Sequence, residues 1–196
     1  MSEHSTFVKI PKERIAVLIG ADGNVKDIIE KELSVDLKID SESGDVAIRL
    51  KKDARDPFYL FRAKDVVIAI GRGFSPEHAF RMLQDEDETL EVIDLRDTFG
   101  RSLSDVMRVK GRIIGKEGKT RRAIEEMSGV GLSVYGHTVS IIGDADQVEI
   151  AREAVMLLIK GCQHQTLYRF LERKRRELKM KSLELWEKEP LRDVGI

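Results

Sequence analysis

Residues 110–125 read KGRIIGKEGKTRRAIE, and residues 15–30 read IAVLIGADGNVKDIIE. The two stretches align at an offset of 95, which superimposes the Gly-x-x-Gly turn of one on that of the other. Both end on the same apolar-acidic pair, Ile-Glu. Self-similarity at a fixed spacing is the signature of a repeat, so the sequence predicts two copies of one structural unit.

The segments around each Gly-x-x-Gly turn predict the rest of the unit. A strand pattern precedes the turn at 6–10 and at 90–95, and two alternating strands follow it. Apolar helices flank the turn, and a longer helix closes each copy. The order is β-α-α-β-β-α twice, an α+β fold. About ten extra residues (96–105) enter the second copy, and a short helix (76–83) with the acidic run 85–88 joins the copies.

The turn itself needs glycine for physical reasons. A tight connection between two helices requires positive φ values, which glycine adopts without a Cβ penalty. A backbone that must touch another polymer's backbone also has no room for side chains. The helix that follows presents free amide groups and the positive end of its dipole. The turn occurs twice in the same context, so it predicts a binding surface rather than a chance pattern.

The run Ile113-Ile114-Gly115-Lys116-Glu117-Gly118-Lys119 resembles the signature of the KH domain of type I topology, a module for single-stranded nucleic acid. In that family the Gly-x-x-Gly loop clamps about four nucleotides by their backbone. The resemblance extends over 6–160 as a tandem pair. It implies two tandem type I KH domains and a long C-terminal helix, with the domains at 1–84 and 85–162 and the basic amphipathic helix at 163–196.

The tandem arrangement, the chain length and the basic C-terminal helix also resemble the archaeal version of the partner-of-Nob-one family. That resemblance implies a protein that holds single-stranded RNA, the 3′ region of small-subunit ribosomal RNA, during ribosome assembly and pre-rRNA processing. An endonuclease or another ribosome-assembly or translation factor is then expected as a partner. Two alternatives stay open: a general RNA-binding adaptor in mRNA decay or translation, and a mainly protein-binding scaffold.

The two copies differ in charge around the turn. Residues 108–124 carry a net charge of +6, whereas the matching residues 13–29 carry −1. Local cationic charge dominates RNA affinity, because each neutralised phosphate releases condensed counterions. We expect the second copy to bind RNA through close backbone approach, phosphate contacts and an apolar groove for bases. The predicted residues are Arg112, Ile114, Gly115, Lys116, Glu117, Gly118, Lys119, Arg121, Arg122 and Val134.

The first copy and the C-terminal helix are predicted to have accessory roles in binding. The loop Gly20-Ala21-Asp22-Gly23 is predicted to bind RNA weakly or to dock a protein, with a purely structural turn as the alternative. Leucines at seven-residue spacing from Leu171 predict a helix over 167–186 that packs on the second domain. The basic cluster of this helix is predicted either to make additional contacts with RNA phosphates or to be only a solvent-exposed face. That cluster consists of Arg173, Lys174, Arg175 and Arg176.

Composition excludes several classes of function. The 34 basic and 35 acidic residues give a net charge of −1, so any RNA site must come from local charge. The longest apolar run, 154–159, is far shorter than the roughly 18 residues that span a bilayer, which predicts no membrane contact. The polar N-terminus lacks a signal-peptide pattern, and the single Cys162 fits a reducing compartment. A cytoplasmic location is expected.

No catalytic centre, metal or cofactor is expected. The acidic run 85–88 lacks ligand spacing and is interpreted as a solvated linker. The four histidines are scattered, and one cysteine cannot form a zinc site with them. Cys162 and His164 are close in sequence, but no orienting carboxylate stands at a recognisable spacing. The chain is therefore predicted not to be an enzyme.

Overall fold

The computed structural model describes residues 5–188, apart from the side chains of 182 and 184–188. The first unit opens with strand β1 and a single 3₁₀ turn. Its elements are β1 (Ser5–Lys9), α1 (Ile15–Ile19), α2 (Asn24–Glu32), β2 (Val35–Ile39), β3 (Asp45–Leu50) and α3 (Tyr59–Gly71). Two short helices, α4 (Pro76–Ala79) and α5 (Arg81–Gln84), follow where one helix was expected. They are separated only at Phe80.

The second unit repeats the order of the first and adds two helices. Its elements are β4 (Glu88–Asp94), α6 (Arg96–Phe99), α7 (Leu103–Ile114), α8 (Lys119–Ser128), β5 (Gly131–Tyr135), β6 (Thr138–Asp144), α9 (Ala145–Ile159) and α10 (His164–Lys188). The predicted β-α-α-β-β-α order is confirmed in both units. The extra residues 96–105 form α6 and lengthen α7 to 12 residues, against 5 in α1.

Each unit has a three-stranded antiparallel sheet with the last strand in the middle, in the orders β1-β3-β2 and β4-β6-β5. Val46 of β3 pairs with Val8 and Ile39, and Val139 of β6 pairs with Ile93 and Val134. Val46 and Val139 are related by an offset of 93, because the turn between the last two strands is two residues shorter in the second unit.

The two hydrophobic cores are built from equivalent positions. The fully buried pairs are Leu18 with Ile113, Ile29 with Ile124, Val46 with Val139, and Ile48 with Ile141. Burying one such side chain contributes about 1.5–3 kcal/mol relative to exposure. The repeated glutamate also has the same role in both units. Leu37 N donates to Glu30 Oε1 at 2.6 Å, and Leu132 N donates to Glu125 Oε1 at 3.1 Å.

The C-terminal helix α10 packs against α8 and α9 of the second unit. Leu167 and Leu171 are fully buried there, and Leu178 is half-buried, so the predicted packing is confirmed for these leucines. The side chain of Leu185, the next leucine in the series, lies outside the described residues. Among those residues, no helix combines the length and the apolar character that crossing a membrane requires.

The acidic linker is not simply solvated. Glu88 is only 6% exposed and is paired with Arg81, which corrects the sequence interpretation for this residue. The guanidinium of Arg62 donates to four linker carbonyls, those of Met82, Asp85, Glu86 and Glu88, at 2.6–3.1 Å. The sequence gives no sign of this arrangement because the donor lies 20–26 residues from its acceptors.

Arg62→Ala is expected to lower the free energy of unfolding by about 2 kcal/mol, since partly buried carbonyls lose a charged donor. Urea unfolding followed by circular dichroism measures the change. Arg55→Ala is the matched control, because Arg55 is exposed and forms no hydrogen bond or ion pair with the described residues. Equal effects from the two substitutions would contradict a specific role for the Arg62 contacts.

The two units are in direct contact through β5. The Tyr135 hydroxyl donates to Glu13, and the Arg14 guanidinium lies 5.9 Å from the centroid of the same ring. Ser133 Oγ donates to the carbonyl of Arg72 at 2.9 Å. Burial, and then the hydrogen bond to Glu13, raises the pKa of Tyr135, so the phenol remains a proton donor at neutral pH. The first unit thus holds the strand that carries Val134.

Candidate nucleic-acid interface

The two Gly-x-x-Gly loops have the same backbone. Gly115 has φ 73° and ψ 175°, and Gly20 has φ 76° and ψ 178°. The third residue of each loop is left-handed although it is not glycine, with φ 53° at Glu117 and φ 52° at Asp22. Aspartate tolerates this region better than most residues. The loop conformation therefore does not depend on the positive charge of the second copy.

The two glycines of each loop are needed for different reasons. A Cβ on Gly115 would lie 2.2 Å from Thr120 Oγ1 and 2.8 Å from Thr120 N, so this glycine is required by packing inside the protein. A Cβ on Gly118 would meet nothing within 4 Å in the described part of the chain. Only Gly118 leaves an open surface that another backbone can approach, although the sequence pattern treats both glycines alike.

Helix α8 begins next to this open surface. Its N-cap is Gly118, and no side chain among the described residues caps it. The first N–H groups of a helix have no intrahelical acceptor, and together with the helix dipole they favour an anion. The start of α8 is therefore suited to a phosphate group that approaches over Gly118.

The predicted cations separate into free and engaged groups. Lys116 and Lys119 are exposed and form no ion pair with any described residue. Arg122 Nη2 donates to the carbonyl of Glu117 at 2.6 Å and braces the loop. Arg121 Nε lies 3.6 Å from Glu125, and Arg112 donates to the carbonyl of Cys162. The two lysines are the cations that are free to meet a phosphate, and the role of all five stays a prediction.

The apolar residues of the predicted groove lie on α7 and β5, two elements that are in contact. Ile114 is the last residue of α7 and is half-buried. Val134 is half-buried on β5 and packs against the second core. Lys110, which contributes to the charge of residues 108–124 but is not among the predicted site residues, donates from Nζ to the carbonyl of Gly136 at 2.7 Å and so ties α7 to the β5–β6 turn.

The first copy offers a different surface. Ala21 and Asp22 are exposed at the tip of its loop. Both basic residues within 13–29 are engaged: Arg14 donates to the carbonyls of Ile70 and Phe74, and Lys26 lies 3.7 Å from Glu30. This loop therefore presents a carboxylate and no free cation within those residues.

The basic cluster of α10 is partly neutralised. Arg173 and Lys174 lie 3.8 and 3.4 Å from the carboxylate of Glu177 and about 6 Å from the Phe170 ring. Arg176 Nε donates to the carbonyl of Glu172 at 3.4 Å. Arg175 is exposed and forms no hydrogen bond or ion pair with the described residues. The accessory role of the cluster stays a prediction.

Cys162 and His164, which are close in sequence, contact different backbone groups. His164 Nε2 lies 3.1 Å from the carbonyl of Arg112, and Cys162 Sγ donates to the carbonyl of Gln163, so the two side chains are not paired with each other. Within the described residues, no group of three or more His, Cys, Asp or Glu side chains could hold a metal ion.

Comparisons with known proteins cover both copies. Residues 89–176 match the family described as eukaryotic type KH-domain (KH-domain type I), and residues 5–85 match the Krr1 KH1 domain. A KH domain-containing protein of Methanocaldococcus jannaschii is 50% identical over 93% of this chain and 79% of its own length. The pre-rRNA-processing protein PNO1 of Coccidioides immitis is 31% identical over 79% of this chain.

The chain spans 60% of the length of that PNO1 protein. Among solved structures, the Dim2p chain in the a/eIF2alpha-aDim2p-rRNA complex from Pyrococcus horikoshii has a TM-score of 0.82. It is 50% identical, and the match covers 89% of this chain and 96% of that one.

Proposed function

From the premise that this chain belongs to the family of tandem KH-domain proteins that contains PNO1 and Dim2p, we propose that it binds single-stranded RNA during ribosome assembly and pre-rRNA processing. The segment bound would be the 3′ region of small-subunit ribosomal RNA. The family also accounts for the α+β fold, with one type I KH domain in each half.

One observation carries this proposal: a single open surface combines Gly118, two unpaired lysines and the uncapped start of α8. A phosphate over Gly118 would accept hydrogen bonds from the first amides of α8, while Lys116 and Lys119 neutralise its charge. The bases would then lie toward Ile114 and Val134, where contacts to their edges select the sequence. The second KH domain is the RNA-binding unit in this scheme.

The first KH domain would dock a protein. Its loop has the KH backbone, but its tip carries Asp22 and no free cation within residues 13–29, which disfavours phosphate and suits a basic protein surface. The related Dim2p forms a complex with a/eIF2alpha and rRNA, which supports a translation or assembly factor as the partner. An endonuclease is the other partner class that a processing role would require.

The chain would act without catalysing a reaction of its own, by presenting RNA to a separate nuclease or shielding RNA from it. The family to which it belongs binds RNA through KH domains. A cytoplasmic location is part of the same proposal. The proposed units are 1–84, 85–162 and 163–196, of which residues 1–4 and 189–196 lie outside the described residues. Leu167 and Leu171 fix α10 to the second unit.

Crosslinking the native protein to total cellular RNA and sequencing the bound fragments tests the proposal. We expect the reads to concentrate at the 3′ end of small-subunit ribosomal RNA. Reads dispersed over messenger RNA would instead support a general adaptor. A protein that retains its partner but yields no RNA above background at physiological salt would be a scaffold. Cleavage of RNA by the pure protein would contradict the non-enzymatic role.

A further inference from the structure

A cleft of about 410 Å³ opens beside the Gly-x-x-Gly loop of the second KH domain. It lies between the end of α7, the start of α8 and the first turns of α10, so it is outside the groove between Ile114 and Val134. The polar and aromatic side chains that line it are Arg108, Arg112, Lys116, Lys119, His164 and Tyr168. No aspartate or glutamate of the described chain lines it.

The far wall of the cleft is fixed before any ligand binds. The guanidinium of Arg112 donates to the carbonyl of Cys162, and the His164 ring donates from Nε2 to the carbonyl of Arg112. These reciprocal contacts lock the start of α10 to the end of α7. Leu167, fully buried one residue before Tyr168, anchors the same helical turn in the core. The Tyr168 ring is therefore held on a rigid element.

The cationic and aromatic groups of the cleft match a nucleotide. Lys116 and Lys119 are unpaired, and the Arg108 side chain is 61% exposed although it donates to Asp105 at 2.7 Å. Tyr168 is half-buried, and its hydroxyl forms no hydrogen bond with the described residues. Cations beside an aromatic ring are the groups with which proteins hold single-stranded nucleic acid, phosphate on the cations and base on the ring.

The cleft is specific to the second copy. The positions 95 residues earlier carry no cation: Arg108, Arg112, Lys116 and Lys119 correspond to Glu13, Val17, Ala21 and Asn24. Arg112 also fixes α10, which the first copy lacks, but Lys116 and Lys119 form no hydrogen bond or ion pair with the described residues, so packing does not account for them. Both free lysines of the second loop, Lys116 and Lys119, line the cleft.

We propose that this cleft is a second RNA subsite, which takes the nucleotide adjacent to the segment held at the Gly-x-x-Gly loop. Its base stacks on Tyr168, and its phosphate lies between Lys116 and Arg108. The subsite rests on the proposed RNA-binding function and extends it by naming a contact outside the KH groove. It makes α10 part of the RNA footprint through its first turns rather than through the cluster at 173–176.

The test compares two random-sequence single-stranded RNA pools, one of about four nucleotides, the length that a KH loop clamps, and one of about ten. Dissociation constants are measured by fluorescence anisotropy for the full chain and for Tyr168→Ala and Tyr168→Phe. We expect Tyr168→Ala to bind the longer RNA roughly tenfold more weakly, as for loss of one stacked base, and the shorter RNA unchanged within about twofold. Tyr168→Phe keeps the ring and should bind both RNAs like the natural chain.

Phe61→Ala is the matched control, since it removes an exposed aromatic ring from the first domain. Circular dichroism checks that α10 is retained in each variant. The subsite is wrong if Tyr168→Ala leaves the longer RNA unaffected, or if it weakens both RNAs equally. If a polyglutamate peptide binds the chain and only that binding needs Tyr168, the cleft takes an acidic protein segment instead. If the natural chain binds neither RNA, the proposed function fails as well.

Discussion

A Lys116→Asp, Glu117→Asp variant is expected to bind single-stranded RNA about a hundredfold more weakly than the natural chain. The change removes a free cation from the loop and puts a carboxylate where the phosphate would lie. Loss of a charged hydrogen bond is worth about 1.5–3 kcal/mol, and about 2.7 kcal/mol corresponds to a hundredfold. Anisotropy titrations at two salt concentrations should also show a salt slope reduced by about one.

This variant should remain folded, because the first KH domain already carries Ala21-Asp22 in a loop of the same conformation. Asp22 has φ 52°, and position 117 has φ 53°. Ala21→Asp provides the matched control, since it adds a carboxylate at the equivalent position of the first domain. We expect it to leave RNA affinity within about twofold of the natural value. If Ala21→Asp weakens binding and the loop variant does not, the RNA lies on the first domain.

Gly115→Ala is expected to lower the free energy of unfolding by about 3 kcal/mol. At φ 73° and ψ 175°, Gly115 occupies a region essentially restricted to glycine, and its Cβ would lie 2.8 Å from Thr120 N. Backbone atoms cannot move aside as a flexible side chain can, so the start of α8 would have to shift. Urea unfolding measures the loss.

Gly118→Ala separates binding from stability. Its φ of 77° and ψ of 10° are left-handed helical, which costs an alanine about 1 kcal/mol, and the new Cβ meets no described atom within 4 Å. The domain should stay folded while RNA binding weakens, because the methyl group occupies the surface that the strand approaches. Gly20→Ala serves as the control for packing, since its Cβ would lie 2.5 Å from Val25. If Gly118→Ala leaves RNA affinity unchanged, the strand does not cross Gly118.

The repeat made the fold predictable from sequence. The offset alone makes Leu18 and Ile113 equivalent positions, and the structure shows that both are fully buried. The repeated glutamate at 30 and 125 was visible, but its function was not. Its role is a hydrogen bond to a strand amide seven residues later, which only the folded backbone brings into reach.

The candidate site was predictable in position but not in detail. Net charge located the second loop, yet it could not tell which cations were free. Arg112 binds a carbonyl 50 residues away, and Arg122 binds one within its own loop. The cleft was missed because Tyr168 and Arg108 lie 60 residues apart and share no motif. The only sequence feature that pointed to the cleft was the helical pattern that places Tyr168 next to the buried Leu167. Many helices have such a pattern, so it does not identify a binding site.

The contact between Tyr135 and the first domain links the two proposed activities mechanically. Tyr135 follows Val134 on the strand that borders the base groove, and Glu13 and Arg14 hold its ring from the other domain. A bound protein that rotated the first domain would remove these contacts and leave one wall of the groove less rigid. Binding or release of a protein at the first domain would thereby change the residence time of RNA on the second. The time of RNA release during ribosome maturation would then depend on the protein partner.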